Sequence, residues 1–265
     1  MIIVTFNAVD GGVGKTTLSF NFAEYLALQG YKVLAIDKDH QCNFTNLYGI
    51  YDQENTVANI YTNGDDVDIV PVKENLDLIK GYMRLDEIED SIVTNPNKYM
   101  MFYMWLEDNY QKLNLGEYDY VIIDTHPDFR VATRNAVAAS HAIIAPVLDS
   151  DNTDSENLEY RLEEYKKETI DYRTCESLVT AKLFRVGNRV SHNTTVSRKF
   201  KKHIEGNDKY INYIPLKSIF NKSIADEKSV AQKYKDKDVT RDELKFKDEF
   251  NRLMNEIKEA VDKTV

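Results

Sequence analysis

Three glycines and a lysine set the chemistry open to this chain. Asn7-Ala8-Val9-Asp10-Gly11-Gly12-Val13-Gly14-Lys15-Thr16-Thr17 follows directly on the apolar run Ile2-Ile3-Val4-Thr5-Phe6. A β-branched strand that empties into a glycine-rich turn and then a helical pattern is the physical recipe for a phosphate-binding loop. Backbone N–H groups of Gly11, Gly12, Val13 and Gly14 can converge on an anion, and the helix that follows adds the positive end of its dipole. Lys15 then reaches the terminal phosphates, while Thr16, next to Thr17, offers its hydroxyl to Mg²⁺. The ligand this implies carries a phosphate tail with Mg²⁺. The pattern G-x-x-x-x-G-K-S/T is incomplete, because Val9 stands where the first glycine belongs.

Two further stretches end in acids that such a site could use. Tyr118-Asp119-Tyr120-Val121-Ile122-Ile123-Asp124 reads as a central parallel strand whose terminal carboxylate, Asp124, emerges beside the loop and can hold the Mg²⁺ water shell. Tyr31 to Asp37 reads as a buried strand, followed by Lys38-Asp39-His40-Gln41. An acid there can orient water or reach the metal shell, and equally can cap a turn.

The elements that must position these residues follow from periodicity. Leu18, Phe22 and Leu26 predict a first helix over Thr17 to Gly30. Asp65 to Val72 and Asn75 to Gly81 read as short strands, and Met83 to Val93 and Tyr99 to Leu113 as helices. The aromatic stripe of the latter is core packing or a partner surface. Thr153 with Glu156 reads as a capping box opening a helix through Leu158, Leu162 and Tyr165. A strand over Ser177 to Phe184 is followed by a loop, and one helix over Arg241 to Val261 carries Phe246, Phe250, Leu253 and Ile257 at helical spacing. Together these predict one doubly wound, mostly parallel α/β sheet flanked by helices, with residues 1–265 forming a single P-loop domain and no N-terminal helix-turn-helix.

Composition narrows the class. The chain has 265 residues, 29% charged and 42% apolar, which suits a globular domain with a full core. Cys42 and Cys175 stand alone, so neither a disulfide framework nor a bridging iron–sulfur cluster is suggested, and a reducing cytoplasm fits. No apolar run reaches membrane-span length, and the opening strand leaves no room for a signal peptide. With a net charge of −10, any contact with DNA must come from a local patch.

On these motifs the chain resembles the deviant Walker A group, which includes ParA-type partition ATPases, MinD-like ATPases and the nitrogenase iron protein. The group's pattern x-K-G-G-x-G-K-S/T-S/T is matched with one change: Asp10 occupies the place of the signature lysine. Its second pattern, D-x-D-P-Q-x-N-x-T, is matched by Asp37, Asp39, Gln41, Asn43 and Thr45, with His40 replacing the proline. Its third, Y-D-Y followed by three Ile or Val and D-x-P-P, is matched with His126 replacing the first proline; His126 is read as a loop residue. Ile214-Pro215-Leu216-Lys217, Ala225 and Ser229-Val230 continue the likeness. The resemblance implies that Asp39 positions the attacking water and joins the metal shell with Thr16 and Asp124. It also implies that Asn188, with Arg189 beside it, reads the adenine edge; a turn-forming Asn is the other reading.

From Lys182 to His203 the chain carries seven basic residues and no acid. Such a run is either a solvated face or a surface for phosphate backbones. The resemblance favours the second, with Arg185, Arg189, Arg198, Lys199, Lys201 and Lys202 binding DNA without sequence preference. It further implies an ATP-dependent homodimer, a ParB-type centromere-binding adaptor as regulator, no membrane partner, and residence on the nucleoid. Two other functions stay open: a MinD-like positioning ATPase, and a nucleotide-binding regulator with little hydrolysis. Asp10 sustains the latter, because the group's lysine crosses the dimer to the partner's phosphates. Either Asp10 points away with Lys38, Arg130 or Arg134 substituting, or the ATP dimer is weak, or the residue was introduced deliberately.

Overall fold

In the computed structural model, which describes residues 1–62, 67–149 and 154–265, eight strands form one sheet. They are β1 (Ile2–Phe6), β2 (Val33–Lys38), β3 (Val70–Lys73), β4 (Leu76–Ile79), β5 (Tyr120–Thr125), β6 (Ala142–Leu148), β7 (Lys182–Val190) and β8 (Tyr210–Pro215), ordered 3-4-2-5-1-6-7-8. Every neighbouring pair runs parallel except β3 and β4, which form an antiparallel hairpin at one edge. The helices are α1 (Lys15–Leu28), α2 (Asn43–Asn46), α3 (Leu85–Ser91), α4 (Met101–Asn109), α5 (Val131–Ala139), α6 (Asp154–Glu168), α7 (Thr195–Glu205), α8 (Ser218–Ala225), α9 (Val230–Asp236), α10 (Arg241–Leu244) and α11 (Lys247–Asp262).

Strand alternation decides which face each helix covers. Val4, Phe6, Tyr120 and Ile122 point to the layer built by α1, α9 and α11, whereas Ile3, Val121 and Ile123 point to the layer of α4 and α5. Because both faces are covered, the central strands read as continuous apolar runs. The switch from leftward to rightward crossovers falls at β1, where a doubly wound sheet opens a crevice at the carboxyl ends of its strands. The phosphate loop and the acids after β2 and β5 lie at that edge, with Phe6 opposite Asp124 and Asp37 opposite Asp124 in register.

Several expected boundaries move for physical reasons. The first helix begins at Lys15 rather than Thr17, since Gly14 adopts φ 93° and serves as its N-cap. The strand expected over Ser177 to Phe184 instead spans Lys182–Val190. Its polar residues are satisfied by remote partners, so it does not read as a strand from its own sequence. The C-terminal helix breaks after Leu244: a Thr240–Glu243 capping box opens the four-residue α10, and α11 starts at Lys247. The expected capping box at Thr153 lies outside the described residues, as do the first two residues of the strand expected from Asp65.

Candidate nucleotide site

The loop between β1 and α1 keeps its glycines for two different reasons. Gly12 (φ 77°) and Gly14 (φ 93°) adopt left-handed backbone conformations that side chains resist. At Gly14 there is also no room, because a Cβ would sit 2.4 Å from Asn188 Nδ2. α1 then begins with no side-chain cap, so its first-turn amides remain available to an anion. Lys15 is buried, and its Nζ donates to the Asp10 carbonyl at 3.1 Å, folding back over the loop. Burial lowers its pKa, and the carboxylates of Asp124, Asp39, Asp128 and Asp10 oppose that.

Below the loop, two oxygens of one carboxylate are held by two hydroxyls of α1. Thr16 Oγ1 donates to Asp124 Oδ2 at 2.7 Å and Ser19 Oγ donates to Oδ1 at 3.0 Å. Burial, with the nearby Asp37 carboxylate, pushes the Asp124 carboxyl up to about 8. A hydroxyl and a buried carboxylate at this spacing form the hard-oxygen corner that suits Mg²⁺ and its waters. Ser19 escapes the motif search, although its position three residues after Thr16 places it on the same helix face.

Asp37 is structural: it accepts from the Thr45 amide and hydroxyl (2.9 and 2.7 Å) and from the Asp39 amide (3.1 Å), fixing the turn after β2. Burial pushes its carboxyl up to about 6. Asp39, buried beyond that turn, accepts from the Gln41 amide and shares a 2.9 Å hydrogen bond with His126 Nδ1. His126 is thus more than a loop residue, since it contacts the acid expected to handle water. Asn7 joins the two loops as well, donating to Thr125 Oγ1 at 2.9 Å and, at 3.3 Å, to the carbonyls of His126 and Asp128.

Asn188 and Arg189 reach the phosphate loop from the end of β7 rather than from a loop beyond it. Asn188 Nδ2 donates to the Val13 carbonyl at 2.7 Å, and Arg189 Nη1 donates to the Gly12 carbonyl at 3.0 Å. Arg189 itself sits at φ 52°, a conformation costly for a side chain with a Cβ. With Thr17, Pro215 and Lys217 these residues line a narrow cleft beside the loop. A separate cleft of about 920 Å³ opens at the opposite end of α1, between Tyr48, Lys73 and Lys228; it has no amide cradle.

The basic run divides in three. Arg185 leaves the set expected to meet DNA: it is buried inside β7 and paired with Glu159 at 2.6 Å. Arg189 belongs to the phosphate loop. Arg198, Lys199 and Lys202 are exposed on α7, and Lys201 lies over the Tyr213 ring, while Phe200 and Ile204 anchor the inner face.

The cations expected to replace the signature lysine all have partners in this structure. Lys38 is fully buried, donates to the Tyr61 hydroxyl at 2.7 Å and lies 3.4 Å from the Phe102 ring centre. Burial drives its pKa well down. Arg130 is paired with Asp90, and Arg134 is held by Glu168 among the rings of Tyr99, Phe129 and Tyr165.

A parallel sheet with a glycine loop running into α1, and a carboxylate on the neighbouring strand bonded to the loop's threonine, defines a P-loop nucleotide-binding fold. A family model described as "AAA domain" (AAA_31) matches residues 1–165. The chain belongs to this family. It is 36% identical over 152 residues to the sporulation initiation inhibitor protein Soj of Bacillus subtilis, covering 55% of this chain and 57% of that one. It is 31% identical over 153 residues to the chromosome partitioning protein ParA of Myxococcus xanthus, covering 55% and 51%. The matched stretch thus spans about half the length of these relatives. Among solved structures, a plasmid partition protein from Borrelia burgdorferi bound to AMPPNP superposes with TM-score 0.75 at 23% identity, over 98% of this chain and 99% of that one. A McdA variant from Cyanothece in complex with ATP gives TM-score 0.77 at 17% identity, over 98% and 96%. These likenesses speak to the fold.

Proposed function

We propose that the chain is a ParA-like DNA partition ATPase that binds MgATP at the loop Gly11–Thr17. The observation that carries this reading is the cluster in which Thr16 and Ser19 hold the Asp124 carboxylate directly behind the Lys15 cradle. Thr16 and Asp124 hold Mg²⁺ with its water shell, Asp39 extends that shell and orients the attacking water, and Lys15 swings from the Asp10 carbonyl to the phosphates. Asn188 and Arg189 border the base. Solved relatives of this fold carry AMPPNP, ATP, or an ATP analogue with magnesium, which supports the choice of ligand.

In this reading ATP drives homodimer formation, and the exposed basic residues of α7 hold DNA without sequence preference. A ParB-type centromere-binding adaptor stimulates hydrolysis and release, and the whole chain acts as one domain in the cytoplasm on the nucleoid. The names of the relatives, chromosome partitioning and plasmid partition, support the same role. The test is the ATP hydrolysis rate with and without DNA and candidate adaptor: stimulation by both supports the proposal, and a rate indifferent to both refutes it.

One observation favours a second reading, a nucleotide-binding regulator with little turnover. Asp10 stands in the signature position, and Lys38, Arg130 and Arg134 are all engaged elsewhere. A MinD-like membrane role draws no such support: the apolar stripe of α11 is spent on the core through Phe250, Leu253, Met254, Ile257 and Val261. No described helix is long and apolar enough to cross a membrane.

A further inference from the structure

At the rim of the nucleotide site, two residues that interrupt the family patterns meet in space. His40, after β2, and His126, after β5, occupy positions where those patterns carry proline, and their rings lie 4.0 Å apart between centroids at an interplanar angle of 37°. Asp39 joins them, and one ligand atom from each of the three residues falls within 4.8 Å of the others. We propose that Asp39, His40 and His126 form a binding site for a divalent transition metal of the zinc class, which shares Asp39 with the proposed Mg²⁺ shell of Thr16 and Asp124.

The donor set selects the ion. Two imidazole nitrogens and one carboxylate oxygen suit Zn²⁺, Co²⁺ or Ni²⁺, whereas Mg²⁺ prefers oxygen throughout. Ligand atoms around a tetrahedral ion with bonds of about 2.0–2.1 Å stand roughly 3.3 Å apart, so this cluster closes on an ion with small side-chain movements. Lone pairs are on hand as well. Asp39 Oδ1 takes the Gln41 amide and His126 Nδ1, and among the described residues Oδ2 accepts no hydrogen bond. The His40 ring makes no hydrogen bond among the described residues and lies against the His126 ring. Three protein ligands leave a further position for water, and the side chain of His126 is 22% exposed, giving the ion a way in.

The effect on function rests on the proposed role of Asp39. Coordinated to the metal, its carboxylate can no longer orient the attacking water, so zinc acts as an inhibitor of hydrolysis. Binding the ion moves no electrons; each ring coordinates through an unprotonated nitrogen and keeps its proton on the other.

The test uses tag-free full-length protein without nucleotide. Co²⁺ titration should give one ion per chain with the intense visible bands of a low-coordinate site, displaced by Zn²⁺. The His40→Ala/His126→Ala variant should lose affinity by at least about a hundredfold, and His192→Ala/His203→Ala and Cys175→Ser should keep it. Protection of His40 and His126 from diethyl pyrocarbonate by Zn²⁺, mapped by mass spectrometry on the unaltered chain, checks the site independently of how the variant folds. Absence of binding, binding undiminished in the folded double-histidine variant, or unprotected His40 and His126 would overturn the site. MgADP affinity, measured separately, distinguishes failure of the metal site from failure of the nucleotide reading.

Discussion

Thr16 and Asp124, 108 residues apart in the chain, are joined by a 2.7 Å hydrogen bond. That bond ties the start of α1 to the end of β5, and in the proposed function it is the place Mg²⁺ would take with the nucleotide. Asp124→Asn keeps the shape and removes the carboxylate that Mg²⁺ would need as a ligand. The Mg²⁺-dependent hydrolysis rate should fall by about a hundredfold or more, with the circular dichroism spectrum unchanged. A variant with an unaltered rate and an unaltered Mg²⁺ requirement would remove Asp124 from the site.

In the proposed ATP dimer, Asp10 would limit assembly. There, a carboxylate in place of the crossing lysine would face the partner's phosphates with a repulsion of about 4 kcal/mol per charge pair at 4 Å and an effective dielectric constant near 20. The protein as it stands should therefore turn over slowly and dimerise poorly with ATP, and Asp10→Lys should raise the dimer fraction in light scattering. Equal rates and equal dimer fractions for the two forms would show that this position does not govern assembly.

The basic face of α7 should carry the DNA contact. Replacing Arg198, Lys199, Lys201 and Lys202 together by alanine should abolish DNA retention at moderate salt. If each meets one phosphate, the slope of log affinity against log salt should shrink by about three to four. ATP affinity should stay as it was, because the phosphate loop is untouched. Unchanged retention would assign the face to solvent alone.

The core prediction concerns α11. Phe250 is fully buried against the rings of Tyr25, Phe220, Tyr234 and Phe246. Phe250→Ala should cost about 3–5 kcal/mol in urea unfolding, the range for removing a large buried side chain. A loss below about 1 kcal/mol would mean that this helix does not pack on the domain.

Much of the site was legible because its chemistry is written in contiguous residues at strand ends. Gly11 to Thr17 must be contiguous to wrap a phosphate, and Asp124 follows four buried hydrophobic residues whatever lies around them. What was hidden depends on partners remote in sequence. β7 was misplaced because Arg185, charged in the sequence, is neutralised by Glu159 on α6. Lys38 looked available and is instead sealed under Phe102 and Tyr61, residues of a different layer. The meeting of His40 with His126 needs the adjacency of β2 and β5, which no local pattern reports.

Acid stability has one identifiable contributor near the C-terminus. Glu243 is held down at about 2, against an ordinary value of 4.5, chiefly by Lys222 and also by the Thr240 amide and hydroxyl. Its folded-state pKa is depressed, so its stabilisation is complete above pH 4.5 and is lost as pH falls from there through about 2. Lys222 is half-exposed, and solvent screening limits the effect to the order of 1 kcal/mol. Glu243→Gln should therefore be less stable than the parent at pH 7 and equal to it near pH 2. A stability gap that stays constant over that range would exclude this linkage.

Calorimetric titration of MgADP and MgATP into the protein, beside Lys15→Ala, tests the nucleotide site most directly. The expected result is saturable binding of one nucleotide per chain that Lys15→Ala weakens by at least tenfold. Absence of binding, or equal affinity in the two proteins, would contradict it.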